Sequence, residues 1–253
     1  MMVNKIDKSI SIVVPVYNSA QTLDELIERL VETLSIFRQY QIVLVNDNSK
    51  DTSFNIISSY AKEDKNIIAI NVIENVGQQL ATFLGLKYAK GDYVVIIDDD
   101  LAQNPEDIVK LYNEIEKGFD VVYGIKKNAS NRSVIRSIGS IVRDFTFNTI
   151  TKKPKHIKVS SFRILHKEIV GKILKANTKF IYISMEILKH TTNIGNIYVE
   201  YTKGTATNYN YRKLTSIIKN MYIYYSTQKV FKVKPLPTDI YIIEEISNED
   251  TNE

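Results

Sequence analysis

The chain has 253 residues, of which 44% are hydrophobic, a composition typical of a globular protein with one large or two small domains. It contains no cysteine, which excludes disulfides and thiolate chemistry, and its three scattered histidines argue against a histidine-based zinc site. The polar first nine residues and the lack of an apolar run of about 20 residues predict neither a signal peptide nor a transmembrane helix. We therefore expect a cytoplasmic protein.

The formal net charge of +4 is unevenly distributed. From residue 238 onward the chain carries six acidic residues and no lysine or arginine, so all of the excess positive charge lies before this point. We predict that residues 238–253 form a solvated, mobile acidic tail. A basic body is typical of proteins that bind phosphorylated small molecules, anionic lipid or nucleic acid. Because no basic run has interleaved aromatic residues, we expect no nucleic-acid partner.

The first half of the chain alternates apolar runs with amphipathic segments. Strands are predicted at residues 10–16, 41–45, 67–72, 93–97 and 120–124, with helices between them. Thr22 and Glu25 match a capping box at the start of the first helix, and Gly91 is expected to cap the third. Strands that alternate with helices of about 10 to 15 residues predict βαβ units around a mostly parallel α/β sheet.

The second half is less regular. We predict a helix at 133–150, a short strand at 161–165, helices at 167–174 and 182–190, and a strand at 196–201. An apolar stripe at helical spacing runs through 214–225, and lysines flank it from 213 to 234. We interpret residues 1–237 as one domain with a regular half, about 8–126, and an elaborated half, about 127–237.

Asp98, Asp99 and Asp100 directly follow the strand predicted at 93–97. Three like charges at one strand end repel one another unless a cation lies among them. Hard carboxylate oxygens suit Mg²⁺ or Mn²⁺, which fills its shell with phosphate oxygens and water. Because ligands of open α/β sheets bind at the carboxyl ends of strands, the pattern predicts a metal–diphosphate site. The alternative is a solvated acidic loop.

Both common phosphate-binding loops are absent, since the sequence contains neither G-x-G-x-x-G nor G-x-x-x-x-G-K-[ST]. Six other motifs occur in unbroken order over the first half: Pro15-Val16-Tyr17-Asn18, Asn46-Asp47-Asn48-Ser49-Lys50-Asp51, Asn75-Val76-Gly77-Gln78, Gly91-Asp92-Tyr93, Asp98 through Glu106, and Val121-Val122-Tyr123-Gly124. This series resembles family 2 glycosyltransferases of the GT-A fold, which has a Rossmann-like, mostly parallel sheet flanked by helices. Within that family it is most similar to the polyprenyl-phosphate branch.

The resemblance implies a nucleotide-sugar site formed by Pro15, Tyr17, Asp47, Gln78, Asp98, Asp99, Gln103 and Lys126. It implies that Asp47 accepts a hydrogen bond from the base and that Lys126 faces phosphate. Asp98 and Asp100 would hold Mg²⁺ or Mn²⁺, with Asp100 as the principal ligand. Asp99, Asp100 and Arg163 would be catalytic, with Arg163 near the acceptor. A structural interpretation also exists for several of them: Asp47 as a turn residue, Lys126 as a solvated lysine, and Arg163 as the partner of a nearby carboxylate.

The chain departs from the family pattern at several positions. Ser19 stands where the family often has glutamate, and Ser160 and Ser161 stand where it usually has acidic residues or glycine. Around Gly204, Tyr201 and Thr207 replace an arginine and a lysine, so a phosphate clamp built on that loop is in doubt.

The function implied is inverting, metal-dependent transfer of a sugar from a nucleotide-sugar donor to a polyprenyl-phosphate acceptor. A sugar hydroxyl acceptor, as in surface glycan synthesis, is one alternative, and a catalytically silent nucleotide-sugar-binding partner is another. A hydroxyl acceptor needs a general base, for which Glu186 and Asp144 are the candidates, whereas a phosphate acceptor needs none. The stripe and its lysines would either pack on protein, including a second copy of the chain, or contact the cytoplasmic face of a membrane through 213–234.

Overall fold

The computed structural model describes residues 5–127, 154, 156–176 and 181–202, together with the backbone of residues 243–247. The helix predicted at 133–150, with Asp144, and the apolar stripe with its lysines at 213–234 lie outside the described residues. In the part of the chain that is described, every helix is too short or too polar to cross a bilayer.

Within these residues eight strands form one sheet. They are β1 (Ile10–Val16), β2 (Tyr40–Asn46), β3 (Ile67–Val72), β4 (Tyr93–Ile96), β5 (Val121–Lys126), β6 (Arg163–His166), β7 (Ile194–Val199) and β8 (Ile243–Ser247). Their order across the sheet is β7-β5-β6-β4-β1-β2-β3-β8. Only β6 and β8 pair antiparallel with their neighbours, whereas the other pairs are parallel. The predicted α/β architecture with a mostly parallel sheet is therefore confirmed.

Six helices cover the two faces of the sheet in the described residues: α1 (Leu23–Leu34), α2 (Ser53–Glu63), α3 (Gln78–Tyr88), α4 (Asp107–Ile115), α5 (Lys167–Leu174) and α6 (Ile183–His190). Successive residues of β1 point to opposite faces, so Ile12 enters one core and Val13 the other. The core around Ile12 also contains side chains of α1, α2 and α4. The core around Val13 contains side chains of α3, α5 and α6. The central strands are buried on both faces, which explains their continuous apolar runs.

The topology brings several polar segments to one edge of the sheet. The carboxyl ends of β1, β2 and β4 lie there because these strands are parallel neighbours. Since β6 is antiparallel to both of its neighbours, its first residue, Arg163, lies at the same edge, opposite Ile96 and Tyr123. Three non-glycine residues that follow β1, β2 and β4 have a positive φ: Asn18 at 52°, Asn48 at 54° and Leu101 at 54°.

Two local predictions in the first half need correction. α1 begins after Thr22 as expected, but the Thr22 side chain makes no capping hydrogen bond. Its hydroxyl instead donates to the carbonyl oxygens of Asp99 at 2.7 Å and Ser19 at 3.0 Å. Gly91 does not cap α3, which ends at Tyr88. A Cβ at Gly91 would lie 2.6 Å from the backbone nitrogen of Ser11, so close packing against β1 requires glycine here.

The middle of the predicted acidic tail is a β-strand. Residues 243–247, predicted to belong to a solvated tail, form β8 at the sheet edge and pair antiparallel with β3. Isoleucine occurs at positions 240, 242 and 243, just before and at the start of this strand. β-Branched residues favour an extended backbone, and this preference outweighs the local negative charge. The strands and helices predicted in the second half are present within the described residues, with bounds shifted by up to two residues.

Candidate active site

A cleft of about 650 Å³ opens at the edge of the sheet where β1, β2 and β4 end. The segments that follow β1, β2, β3 and β4 form one wall, and residues near the starts of β6 and α6 form the other. The lining residues are Pro15, Val16, Tyr17, Asp47, Asn75, Gly77, Gln78, Gln79, Asp98, Asp99, Asp100, Val159, Ser160, Ser161, Arg163, Tyr182 and Ser184. Carboxylates line one side of the cleft, while hydroxyl groups and a guanidinium line the other.

Asp98 is held by hydrogen bonds on both of its carboxylate oxygens. Gln78 Nε2 donates to Oδ1 at 2.6 Å, and Gln103 Nε2 and Ser161 Oγ donate to Oδ2 at 2.6 and 2.5 Å. Gln103 Oε1 also accepts from the Asp98 N–H at 2.8 Å, so this buried amide fixes both the backbone and the side chain of Asp98. Burial raises the pKa of the Asp98 carboxyl, and the hydrogen bonds from Ser161 and Gln103 oppose this shift.

Asp99 contacts the loop that follows β1. Its Oδ2 accepts from the Tyr17 N–H at 2.9 Å and from the Ser19 hydroxyl. Burial raises the pKa of the Asp99 carboxyl to about 6, although these two hydrogen bonds favour the charged form. Asp99 therefore connects the end of β4 to the end of β1.

Asp100 is partly buried and lines the cleft. Among the described residues, it accepts one hydrogen bond, on Oδ1 from the Ala102 N–H at 3.0 Å. Asp98 accepts three at its carboxylate, so Asp100 retains more oxygen lone pairs for a ligand. In the described part of the chain, no group of three or more His, Asp or Glu side chains is arranged to hold a metal ion. A cation here would have to complete its coordination with ligand oxygens and water.

Asp47 is buried at the end of β2, and its carboxylate organises the segment that leads into α3. Oδ1 accepts from the Val76 N–H at 2.6 Å, and Oδ2 accepts from the Gly77 N–H at 2.9 Å. The Asn75 side chain returns a hydrogen bond to the Asp47 carbonyl at 3.0 Å. Gly77 has a φ of 83°, a conformation that glycine adopts without strain. Asp47 thus shapes the cleft wall through residues 75–77.

Arg163 lies at the floor of the cleft and is only 3% exposed. One terminal nitrogen donates to Ser184 Oγ at 2.6 Å, and the guanidinium carbon lies 5.8 Å from the centroid of the Tyr123 ring. Among the described residues, Nε of Arg163 has no hydrogen-bond partner, and no carboxylate forms an ion pair with this side chain. A buried cation in such surroundings favours an anionic ligand because its charge is otherwise poorly compensated.

Most of the predicted site residues are brought together. Pro15, Tyr17, Asp47, Gln78, Asp98, Asp99, Asp100 and Arg163 all line the cleft. Two others do not. Gln103 lies behind Asp98, and Lys126 is exposed at the end of β5 with its ammonium 5.7 Å from the centroid of the Tyr201 ring.

Several lining residues were not predicted as site residues. Ser160 and Ser161 differ in the sequence only as departures from the family pattern, and Gln79, Val159, Tyr182 and Ser184 belong to no motif. Ser184 and Tyr182 belong to the start of α6, whose first residue, Ile183, donates its N–H to Gln79 Oε1 at 3.0 Å. Contacts of this kind join residues that are 104 positions apart, and sequence spacing gives no signal for them.

Residues 11–174 match the model of glycosyl transferase family 2. The chain belongs to this family. The match extends from β1 through α5, and so includes every strand end and helix start that forms the cleft except the start of α6. The GT-A fold expected from the resemblance follows from this membership and from the sheet described above.

Relatives of known name fall within the same family. The chain is 32% identical over 187 residues to undecaprenyl-phosphate 4-deoxy-4-formamido-L-arabinose transferase of Yersinia pestis (strain Pestoides F), a match that covers 73% of this chain and 57% of the relative. The protein of the same name from Yersinia pseudotuberculosis serotype O:3 (strain YPIII) matches with the same values. The chain thus spans little more than half the length of these relatives.

Solved structures support the fold at lower identity. Glucosyl-3-phosphoglycerate synthase from Mycobacterium tuberculosis, in complex with Mn²⁺, UDP-glucose and phosphoglyceric acid, has a TM-score of 0.63 and 16% identity, and the match covers 85% of this chain and 77% of that one. S. aureus TarS 1-349, in complex with UDP-GlcNAc, has a TM-score of 0.56 and 18% identity, with 85% and 66% covered. At these identities the likeness concerns the fold alone.

Proposed function

We propose that the chain is an inverting, metal-dependent glycosyltransferase that moves a sugar from a nucleotide-sugar donor to a polyprenyl-phosphate acceptor. The observation that carries the proposal is a cleft with the carboxylates of Asp98, Asp99 and Asp100 on one side and the buried Arg163 guanidinium on the other. Among the described residues this guanidinium has no carboxylate partner. The named Yersinia relatives support an undecaprenyl-phosphate acceptor, and the solved neighbours with UDP-sugars support a nucleotide-sugar donor.

The donor side fits a divalent cation. Asp98 and Asp100 offer hard carboxylate oxygens, and Asp100, with one hydrogen bond among the described residues, is the principal ligand that we propose. When bound, Mg²⁺ or Mn²⁺ would act as a Lewis acid that neutralises the diphosphate leaving group. Asp99 fixes the start of the loop after β1 through the Tyr17 N–H, and Tyr17 and Pro15, near the end of β1, would contact the nucleoside. Asp47 would shape the neighbouring part of the same wall through residues 75–77.

The acceptor side favours a phosphate over a hydroxyl. A phosphate monoester is already ionised near pH 7 and needs no general base, whereas a hydroxyl needs one within hydrogen-bond reach. Glu186, one of the two candidate bases, is buried, forms an ion pair with Lys189 at 2.8 Å, and does not line the cleft. Arg163 would hold the acceptor phosphate, and that phosphate would compensate the buried charge. The protein would work in the cytoplasm, at the membrane surface where a polyprenyl acceptor resides.

The test is a panel of nucleotide sugars incubated with undecaprenyl phosphate in detergent, with Mg²⁺, Mn²⁺ or EDTA, scored for glycolipid and for free nucleotide. Undecaprenol and a soluble oligosaccharide serve as hydroxyl acceptors. We expect transfer to the lipid phosphate alone, lost with EDTA. Asp100→Ala should lower it by about 10³-fold or more, since several kcal/mol of leaving-group stabilisation disappear.

The matched control is Asp7→Ala, which removes a carboxylate that is 78% exposed, and it should leave the rate unchanged. Transfer to either hydroxyl acceptor but not to the lipid phosphate would overturn the acceptor assignment. Wild-type turnover by Asp100→Ala would overturn the metal assignment.

A further inference from the structure

We propose that residues 200–202, the tether segment, hold the aspartate loop (residues 98–104) in the conformation that presents Asp100 to the cleft. Thr202 and Tyr201 would therefore be positioning residues for the cation ligand. The inference rests on the proposed function, because it concerns how the chain prepares Asp100 for a cation, but the contacts that carry it are independent of any ligand.

The aspartate loop contains a backbone conformation that needs support. Leu101 has a φ of 54°, in the left-handed region, which costs a residue other than glycine roughly 1 kcal/mol or more. The Ala102 N–H donates to Asp100 Oδ1 at 3.0 Å across this residue. The orientation of the Asp100 carboxylate therefore depends on the left-handed turn at Leu101.

The tether segment contacts the loop at three successive positions. The Thr202 hydroxyl donates to the Leu101 carbonyl. Tyr201 pairs with Gln103 in an isolated antiparallel β-bridge. Asn104 Nδ2 donates to the Glu200 carbonyl at 3.3 Å. These contacts join segments about 100 residues apart in the chain. They lie at Leu101 itself and at Gln103 and Asn104, so they support the strained residue from its C-terminal side.

The tether segment is itself anchored to the sheet. It directly follows β7, and the Tyr201 hydroxyl lies 3.0 Å from Ser160 Oγ and donates to the Gly124 carbonyl at 3.3 Å. Ser161, which follows Ser160 in the chain, donates a hydrogen bond to the Asp98 carboxylate. The Tyr201 hydroxyl thus connects the tether segment to the second wall of the cleft, and both ends of the aspartate loop are fixed to the same part of the sheet.

The first test uses the ligand-free protein and compares Thr202→Val, which removes the hydroxyl but keeps the shape, with Thr202→Ser, which keeps the hydroxyl. We expect faster hydrogen exchange at the Ala102 and Gln103 amides in Thr202→Val, by about threefold to tenfold for the loss of one hydrogen bond, and wild-type exchange in Thr202→Ser. Thr192→Val is the matched control, since Thr192 is exposed near the opposite end of β7. Equal exchange in Thr202→Val and wild type would overturn the proposal.

The second test measures the affinity for UDP, and separately for GDP, by calorimetry with Mn²⁺ and with EDTA. With Mn²⁺, Thr202→Val should bind the nucleotide about threefold to tenfold more weakly than the wild type, and with EDTA the two affinities should be equal. Thr202→Ser should bind with wild-type affinity in both conditions. An equal loss in both conditions would indicate a general structural defect and overturn the positioning role. If Mn²⁺ strengthens the binding of neither UDP nor GDP to the wild type, the proposed function is wrong. The hydrogen-exchange experiment would still test whether the tether segment supports the aspartate loop.

The third test is a double-mutant cycle with Leu101→Asn. Asparagine adopts the left-handed conformation more readily than leucine, but it gives up the partly buried contact of the Leu101 side chain with the core around Ile12. Because this change and the loss of the Thr202 hydroxyl act on the same turn, the effect of Thr202→Val on amide exchange in the Leu101→Asn background should differ from its effect in the wild type. Effects that simply add would show that Thr202 does not support the turn at Leu101.

Discussion

Replacing Asp47 by asparagine should destabilise the protein as well as weaken nucleotide binding. The resemblance to family 2 glycosyltransferases implies that this carboxylate accepts from the base, in which case asparagine should weaken nucleotide binding without altering the affinity for the metal. The structure shows that its two oxygens accept from the N–H groups of Val76 and Gly77. Asparagine keeps one oxygen and turns an NH₂ group toward the other N–H, so one donor loses its acceptor and faces a second donor.

The magnitude follows from that lost acceptor. A buried donor left unsatisfied costs about 1–3 kcal/mol, and bonds to a charged acceptor lie in the upper part of that range. We expect the free energy of unfolding to fall by about 2 kcal/mol. In a domain of this size, such a loss lowers Tm by about 4–8 °C. Because Asn75 and Gly77 line the cleft, the affinity for a nucleoside diphosphate should fall with it.

Urea unfolding followed by circular dichroism measures the stability, and calorimetry with UDP measures the affinity. Asp7→Asn makes the same chemical change at a carboxylate that is 78% exposed, and its midpoint should match that of the wild type. Equal midpoints for Asp47→Asn and Asp7→Asn would refute the structural role. Weaker binding with an unchanged midpoint would instead support direct contact with the base.

Two further predictions concern stability. Gly91→Ala should lower the free energy of unfolding in urea by about 1–3 kcal/mol, because its Cβ would lie 2.6 Å from the Ser11 nitrogen. Gly171→Ala is the control: it lies in α5 with nothing within 4 Å of the added Cβ, and it should raise the free energy of unfolding by about 0.5–1 kcal/mol. An unchanged urea midpoint for Gly91→Ala would contradict the packing argument. Lys167 and Ser9 hold the pKa of the Asp92 carboxyl below its ordinary value, so the stability that it contributes is present above about pH 4 and is lost as the pH falls. Asp92→Asn should therefore lower the urea midpoint at pH 7 and differ less from wild type toward pH 3; a constant difference would count against this pairing.

Much of the fold could be predicted because its signals are local. The apolar runs at β1, β2 and β4 are continuous since these strands are buried on both faces, and α1 carries its buried residues at helical spacing on one face. The orientation of β6 and the pairing of β8 with β3 could not be predicted, because they depend on which distant strands become neighbours. The position of Arg163 follows from that orientation. The resemblance implies that Arg163 belongs to the site, but its place at the cleft floor depends on the orientation of β6.

The serines at the departures from the family pattern illustrate the same limit within the site. Ser19 and Ser161 depart from the family pattern, yet each donates a hydrogen bond to one of the three aspartates, across 80 and 63 residues of sequence. Thr22, expected to cap its own helix, instead donates to the Asp99 backbone, 77 residues away. A short hydroxyl side chain satisfies either partner, so its residue type does not reveal which one the fold supplies.

The left-handed residues at the strand ends show how the sequence encodes the shape of the cleft. Asn18 and Asn48 tolerate a positive φ, and both lie in segments whose composition already predicts turns. Leu101 gives no such signal, and glycine at this position would adopt the same conformation with less strain. Its side chain, however, packs partly buried against the core that contains Ile12, and this burial offsets the backbone strain. We infer that leucine is favoured here because it fixes the turn beside Asp100, whereas glycine would allow the turn and leave the loop free to adopt others.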